Sequence, residues 1–430
     1  MLILVDLDGT LTATEDPSYK LMKDGQAPVV LSEVHPKQGA QEFVQSMKDA
    51  GHTIVVVSDS HHRWVEPVVR HHFNELPSIS LCDKPNIDKV KFGLERLGIA
   101  VNRDESFVLG DTWLDIHMGR GLGIPTILIE QHTPGSFDER DGTGQRQKNY
   151  KAGPTYTAKD FGEASTIIQD PLHNLLAVEA AFKGATSSVA RRQEVDPFRK
   201  GTKDKWFVRV LARQVDGECD HFDTTVFYRE FERPDRRAEV LDKFSVAVES
   251  YLSRVFEYSE IDWHILTCIP DKVTTMPPDK MSALLELVSN RVESRLAKHQ
   301  LFTWNPEVEG SIRSVPNRAQ RTDFLRKNLF LADAAAELVR GRNVVLLDDQ
   351  YTTGATAEVA RGLLQDAGAE CVLFVALYQL IDGVDSDKPC PNCGKAMRLK
   401  VRRDGTGRFY SCVSPEYKGI GCGKIVNIEQ

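Results

Sequence analysis

The amino-acid sequence predicts an α/β protein made of two parallel-sheet, Rossmann-like domains followed by a small cysteine-rich unit. Three observations carry that expectation. Short β-branched runs alternate with helical patterns over residues 1 to about 130, which is the rhythm of a parallel sheet. A second alternation of the same kind opens at Trp206 and ends near Gly383. Four of the chain's 8 cysteines lie between Cys390 and Cys422.

A chain of 430 residues is long for a single core, and about 100 to 200 residues per domain predicts several folded units. Hydrophobic residues at 41% and charged residues at 27% exclude a disordered or fibrous chain. The formal net charge of -8 gives no global attraction to nucleic acid, so any such binding has to be local. No stretch approaches the roughly 18 apolar residues of a spanning helix, and MLILVDLDGT lacks the basic flank of a secretory signal. The expectation is a cytoplasmic protein with no membrane partner. Cys82, Cys219, Cys268 and Cys371 sit among apolar neighbours and read as small core residues in a reducing compartment.

The expected first domain spans 1–172. Its elements are LILVDL, EFVQSMKDAG, TIVVVS, KVKFGLERLG, SFVLGD and TILIE, then the polar loop 135–153 and a last strand and helix from Tyr156 to Ile168. Residues 173–202 read as a helical connector. The second domain, 203–384, opens with WFVRVLARQV and contains HILTCIP, a long helical stretch from Lys280 to His299, and the strand NVVLLDD. VDSDKP links it to the cysteine-rich unit, 388–430.

Asp6 and Asp8 lie two apart at the end of an apolar strand, where open α/β sheets bind ligands. The spacing predicts side chains on one side of the sheet. One carboxylate there can attack a phosphate while the other protonates the leaving oxygen, and two anions facing a phosphate require a cation. Ser58 ends the next strand, Lys84 precedes Pro85, and Asp111 and Asp115 follow the strand SFVLGD. In this order the series resembles the haloacid dehalogenase superfamily, whose DxDGT motif stands here as DLDGT. The resemblance implies Asp6 as nucleophile, Asp8 as general acid, Ser58 as phosphate donor and Lys84 as phosphate-charge neutraliser. It also implies Mg²⁺ at Asp6, Asp8, Asp111 and Asp115. Lys89 and Lys91 read as helix-surface residues, and the histidine pairs His61/His62 and His71/His72 as surface or packing groups.

In the second unit, VVLLDDQYTTGAT joins a buried strand to an acidic pair, a small-residue turn and an amphipathic helix, a cradle for phosphate. It resembles the type I phosphoribosyltransferase signature, in the form found in the competence-associated ComF family. That resemblance implies Asp348 and Asp349 on the ribose hydroxyls of phosphoribosyl pyrophosphate. Thr352, Thr353, Gly354, Ala355 and Thr356 would hold its 5′-phosphate, with Mg²⁺ on the pyrophosphate. Gln320, Arg326 and Asn328 stand in the order of the family's mobile segment, CIPDK at 268–272 stands where a pyrophosphate loop belongs, and Arg313, Arg318 or Arg321 would close over the leaving group.

Cys390, Cys393, Cys412 and Cys422 have the spacing C-x2-C-x18-C-x9-C, which predicts a tetrahedral structural Zn²⁺ site. The segment through GRFYSC resembles the C-terminal zinc fingers of bacterial type I topoisomerases, which implies single-stranded DNA or RNA as partner. Lys400, Arg402, Arg403 and Arg408 offer phosphate contacts and Phe409 and Tyr410 a stacking face. A ribbon packed on its own enzyme is the alternative. Together these readings predict a Mg²⁺-dependent phosphohydrolase coupled to a unit that uses or binds phosphoribosyl pyrophosphate, acting on nucleotides or nucleic acid ends. The competing expectation is a non-catalytic nucleotide sensor that docks on nucleic acid in competence, repair or a stress or phage response.

Overall fold

The computed structural model describes the chain apart from residues 131–148, 150, 151, 188–205, 217–229, 234, 273–278, 293–295, 309–311, 313, 314, 316, 317, 383, 384, 402–407, 413–421 and 428–430. The first region runs β1 (Leu2–Val5), α1 (Lys20–Lys23), α2 (Ala40–Asp49), β2 (Thr53–Val57), α3 (His62–His72), β3 (Ser78–Ile79), α4 (Asp88–Arg96) and β4 (Ser106–Gly110). It continues with α5 (Trp113–Leu122), β5 (Thr126–Ile129), β6 (Tyr156–Ala158) and α6 (Phe161–Gln169). Its strands form a six-stranded parallel sheet in the order β3-β2-β1-β4-β5-β6.

Strand alternation builds two cores. Ile3 and Val5 face one side with Phe43, Val44 and Met47 of α2, while Leu2 and Leu4 face the other with Val90 and Leu94 of α4. The chain runs outward from β1 to β3 and then returns to β4 on the opposite flank of β1. The strand order therefore reverses between β1 and β4, and a crevice opens at their carboxyl ends.

The second region comprises α7 (Ala177–Phe182), β7 (Trp206–Val210), β8 (Arg213–Asp216), α8 (Arg237–Tyr258), β9 (Ile265–Cys268), α9 (Lys280–Val292) and β10 (Ala297–Lys298). It goes on through β11 (Phe302–Trp304), α10 (Arg318–Asn328), β12 (Leu329–Leu331), α11 (Ala335–Val339), β13 (Asn343–Tyr351), α12 (Ala355–Asp366) and β14 (Cys371–Asp382). Its main sheet is parallel, in the order β10-β9-β13-β14-β7 with β8 also on β14, and β11 and β12 form a separate antiparallel pair. A four-stranded antiparallel sheet, β15 (Asp385–Pro389), β16 (Ala396–Val401), β17 (Arg408–Ser411) and β18 (Ile425–Asn427), follows.

One expectation is corrected. The helix expected to reach His299 ends at Val292, and Ala297–Lys298 instead pairs in parallel with Ile265–Leu266. Completing a sheet edge overrides local helical propensity there. The expected helical connector, 173–202, has one short described helix, α7, and 188–202 lie outside the described residues. Of its described residues, Leu175 and Ala180 join the core of the first sheet and Val178 that of the second.

Arg213 ties the two regions together. Its fully buried guanidinium pairs with Glu179 of α7, with Nε 2.7 Å from Oε1, and donates to the carbonyls of Pro154 and Thr155 beside β6. Removing one partner of such a pair strands the other charge away from water. Glu179→Ala is expected to destabilise the fold by about 3 to 5 kcal/mol, read from a lowered urea midpoint, while the exposed exchange Glu42→Ala stays within about 0.5 kcal/mol.

Candidate functional site

The crevice between β1 and β4 collects acidic groups from the two strand ends. Ligand oxygens of Asp6, Asp111 and Asp115 all lie within 4.8 Å of one another, and all three residues are buried. Lys84 reaches in from the loop after β3, its Nζ 2.6 Å from Asp6 Oδ1 and 2.6 Å from Asp115 Oδ1. The Lys84 backbone N–H donates to Asp59 Oδ1 at 2.8 Å, which anchors that loop to the end of β2. Thr10 Oγ1 lies 3.0 Å from Asp6 Oδ2 and 2.9 Å from Asp111 Oδ1. Asn149 Nδ2 donates to the Asp111 carbonyl and Asn149 Oδ1 accepts from Trp113 N, fixing the turn into α5.

The electrostatics call for a further cation. Burial drives the Asp6 carboxyl well above its usual range; Lys84 opposes this, and Asp115, Asp111 and Asp8 push it further up. Burial alone would lower the Lys84 amine, but Asp115, Asp6 and Asp59 outweigh it and hold it well above an ordinary lysine. One ammonium thus faces three carboxylates. Oxygen-only donors in this arrangement fit Mg²⁺, which takes hard oxygen ligands together with water and substrate oxygens. The backbone is shaped to the cluster: a Cβ at Gly9, where φ is +87°, would stand 2.6 Å from Asp111 Oδ2.

Asp8 is not among the three residues whose carboxylate oxygens gather here. β1 ends at Val5 and the chain turns at Leu7, so the pleat that would align residues 6 and 8 has already ended. The Asp8 carboxylate is held separately. Oδ1 accepts from Thr14 Oγ1 at 3.0 Å and Trp64 Nε1 at 2.9 Å; Oδ2 accepts from Ser58 Oγ at 3.1 Å and Ser60 Oγ at 2.8 Å. Lys23, the last residue of α1, lies 3.7 Å from Oδ1 and donates to the Thr14 carbonyl. Sequence reasoning named Asp6, Asp8, Ser58, Lys84, Asp111 and Asp115 but missed Thr10, Thr14, Lys23, Ser60, Trp64 and Asn149. Only Thr10 and Ser60 had a sequence signal, through DGT and SDS.

A second crevice lies between β9 and β13. Asp348 is buried within β13, three residues before its end, and burial followed by its neighbour Asp349 raises its carboxyl well above the usual range. Asp349 Oδ2 accepts from Lys280 Nζ at 2.6 Å, and Lys280 also pairs with Glu232 at 2.7 Å and Asp271 at 3.7 Å. Burial pushes the Asp271 carboxyl up to about 6 against the pull of Lys280. Thr352 and Thr353 form the turn into α12, with Gly354 at φ +77°, Ala355 opening the helix and Thr356 in its first turn. Thr352 Oγ1 accepts from Arg321 Nη1 at 3.0 Å, whereas Thr353 Oγ1 is buried with no hydrogen-bond partner among the described residues. Arg318 pairs with Glu358 of α12, Asn328 Nδ2 donates to the Phe324 carbonyl, and Arg313 lies outside the described residues. Gln320 and Arg326 sit on α10. In CIPDK, Lys272 stacks its ammonium 4.3 Å from the Phe324 ring centre.

In the antiparallel sheet, one thiol sulfur from each of Cys390, Cys393, Cys412 and Cys422 lies within 4.8 Å of the others. Cys390–Cys422 and Cys393–Cys412 sulfurs are each 3.5 Å apart. A zinc tetrahedron with Zn–S bonds of about 2.3 Å has edges of about 3.8 Å, so the four sulfurs fit that ion. Backbone N–H groups of Asn392 and Cys422 point at the Cys390 and Cys412 sulfurs. Phe409 and Tyr410 are half-buried on β17, with Lys388 Nζ 4.7 Å from the Tyr410 ring centre. Arg402 and Arg403 lie outside the described residues, as do the side chains of Lys400 and Arg408.

Residues 25–123 match the haloacid dehalogenase-like hydrolase family. The N-terminal region of this chain thus contains a haloacid dehalogenase-like hydrolase segment. The matched span includes Ser58, Lys84, Asp111 and Asp115 and begins after DLDGT. Solved structures similar to this region include a predicted phosphatase from Clostridium acetobutylicum, at 18% identity and TM-score 0.31, covering 39% of this chain and 98% of that one. A predicted phosphoglycolate phosphatase from Haemophilus somnus, at 13% identity and TM-score 0.30, covers 39% of this chain and 96% of its own. A haloacid dehalogenase family hydrolase from Deinococcus radiodurans with bound phosphate and sodium, at 16% identity and TM-score 0.30, covers 39% and 94%. No curated protein matches the chain. No helix among the described residues is long and apolar enough to cross a membrane.

Proposed function

We propose that the first region is a Mg²⁺-dependent phosphomonoester hydrolase acting through an aspartyl phosphate on Asp6. The observation that carries this reading is the division of labour at the β1–β4 crevice. Asp6 shares a buried cluster with Lys84, Asp111 and Asp115, while Asp8, two residues on, is held apart by four donors.

Asp6, Asp111 and Asp115 would hold Mg²⁺, which would supply the positive charge that lets an anionic nucleophile meet an anionic phosphate. Asp6 attacks phosphorus, and a new Asp6–phosphate bond forms as the ester P–O bond breaks. The leaving oxygen takes the electron pair and a proton from Asp8. Water then attacks phosphorus, Asp8 takes its proton, and the Asp6–phosphate bond breaks to release inorganic phosphate. Lys84 orients Asp6 and neutralises phosphate charge, and the Ser58 hydroxyl offers a hydrogen bond to a phosphate oxygen.

In the second region, Asp348 and Asp349 bind the ribose hydroxyls of phosphoribosyl pyrophosphate, and the turn from Thr352 to Thr356 binds its 5′-phosphate. The helix start at α12 supports the phosphate, and an acidic pair of which Asp348 is buried supports the ribose. The four cysteines hold Zn²⁺, and the ribbon presents Phe409 and Tyr410 to single-stranded nucleic acid. Phosphorylated nucleotides or nucleic acid ends are the substrate class that unites the three units.

Asp6→Asn is expected to lower Mg²⁺-dependent hydrolysis of p-nitrophenyl phosphate by at least about a hundredfold, and equal rates in variant and wild type would exclude Asp6 as nucleophile. Titration calorimetry is expected to show phosphoribosyl pyrophosphate binding that the double variant Asp348→Ala/Asp349→Ala loses; the same heat from both would remove the second site. Elemental analysis is expected to return one zinc per chain, with salt-sensitive single-stranded DNA binding that Cys412→Ser abolishes. A zinc-free chain, or binding indifferent to salt, contradicts the ribbon's role.

A further inference from the structure

The hydrogen bonds around Asp8 differ on its two oxygens, and the difference carries an inference that rests on the phosphohydrolase reading. Trp64 Nε1 is 2.9 Å from Oδ1, and the indole is fully buried at the start of α3. An indole N–H only donates, so Oδ1 is kept as an acceptor while that bond stands. A buried ring cannot turn aside as a surface side chain does, and Trp64 is packed against Tyr19 at 6.0 Å between ring centres. Oδ2 faces two hydroxyls instead, Ser58 at 3.1 Å and Ser60 at 2.8 Å. Hydroxyls rotate, and each can donate or accept.

We infer that Trp64 and Ser60 are positioning residues for Asp8: Trp64 clamps Oδ1, Ser60 steadies Oδ2, and Oδ2 is thereby the oxygen that passes the proton to the leaving group. Neither residue touches phosphorus or the cluster of Asp6, Asp111 and Asp115. Their loss acts through the aim of Asp8, so it weighs on esters whose leaving oxygen needs a proton and spares those whose leaving group departs as a stable anion.

The test uses the full chain with Mg²⁺ and two substrates, 2,4-dinitrophenyl phosphate and an alkyl phosphate such as glycerol 2-phosphate. Trp64→Phe keeps the ring and removes the N–H; Ser60→Ala removes one hydroxyl at a half-buried position. In each variant kcat/KM is expected to fall at least about tenfold further with the alkyl ester than with the dinitrophenyl ester, through kcat rather than KM and in the same direction as Asp8→Asn. An equal fall with both esters, or no fall with either, overturns the inference and leaves the phosphohydrolase reading standing. If wild type hydrolyses neither ester, both are overturned. Should Trp64→Phe fail to fold, Ser60→Ala decides the question on the same ratio.

Discussion

Three buried carboxylates at the end of a parallel sheet, two of them paired with one ammonium, form the constraint on which the first region depends. Like charges at such distances repel strongly in a poorly screened interior, and Lys84 offsets that repulsion by bridging Asp6 and Asp115. The surrounding chain is shaped to permit this. Gly110 is one requirement, since a Cβ there would lie 2.3 Å from the Asp115 Cβ. Thr10 and Asn149 hold the two acidic turns from behind, and Asp59 holds the loop that delivers Lys84.

The second sheet solves a related problem by related means. Its strand order also reverses, between β9 and β13, and acidic residues again meet a buried lysine there: Lys280 faces Asp349, Glu232 and Asp271. The two crevices belong to regions joined through the Arg213–Glu179 pair, whose guanidinium reaches the backbone beside β6. Gln214, next in sequence, pairs with Gln350, two residues past Asp348. The connection between the regions is thus packed and charge-paired, as the burial of Val178 and Leu175 in opposite cores also shows.

Much of this was legible in the sequence because parallel strands announce themselves as β-branched runs and their carboxyl ends fix where acidic and hydroxyl residues emerge. Asp6, Ser58, Asp111 and Asp115 could be ordered on one edge by that logic, while Lys84 was preferred to Lys89 and Lys91 through the family resemblance. The alternation that aligned Asp8 with Asp6 had no strand to act on, because β1 ends at Val5, one residue before the first of them. Trp64, Thr14 and Lys23 were illegible for a different reason: their approach to Asp8 depends on how the segment after β1 folds back over α3, which no local period encodes. Lys280 was hidden likewise, since it meets Asp349 across 69 positions of sequence. The run from Lys280 to His299 reads as one helix by pattern, and only the parallel pairing with β9 shows why it stops.

The central claim is a covalent bond between phosphate and Asp6. Its most direct test is to quench the full chain with acid during Mg²⁺-dependent turnover, reduce the trapped acyl phosphate with borohydride and locate the product by peptide mass spectrometry. The account predicts homoserine at position 6 and none in Asp6→Asn. Reduction at Asp111 or Asp115, or no reduced residue while phosphate is being released, would contradict it.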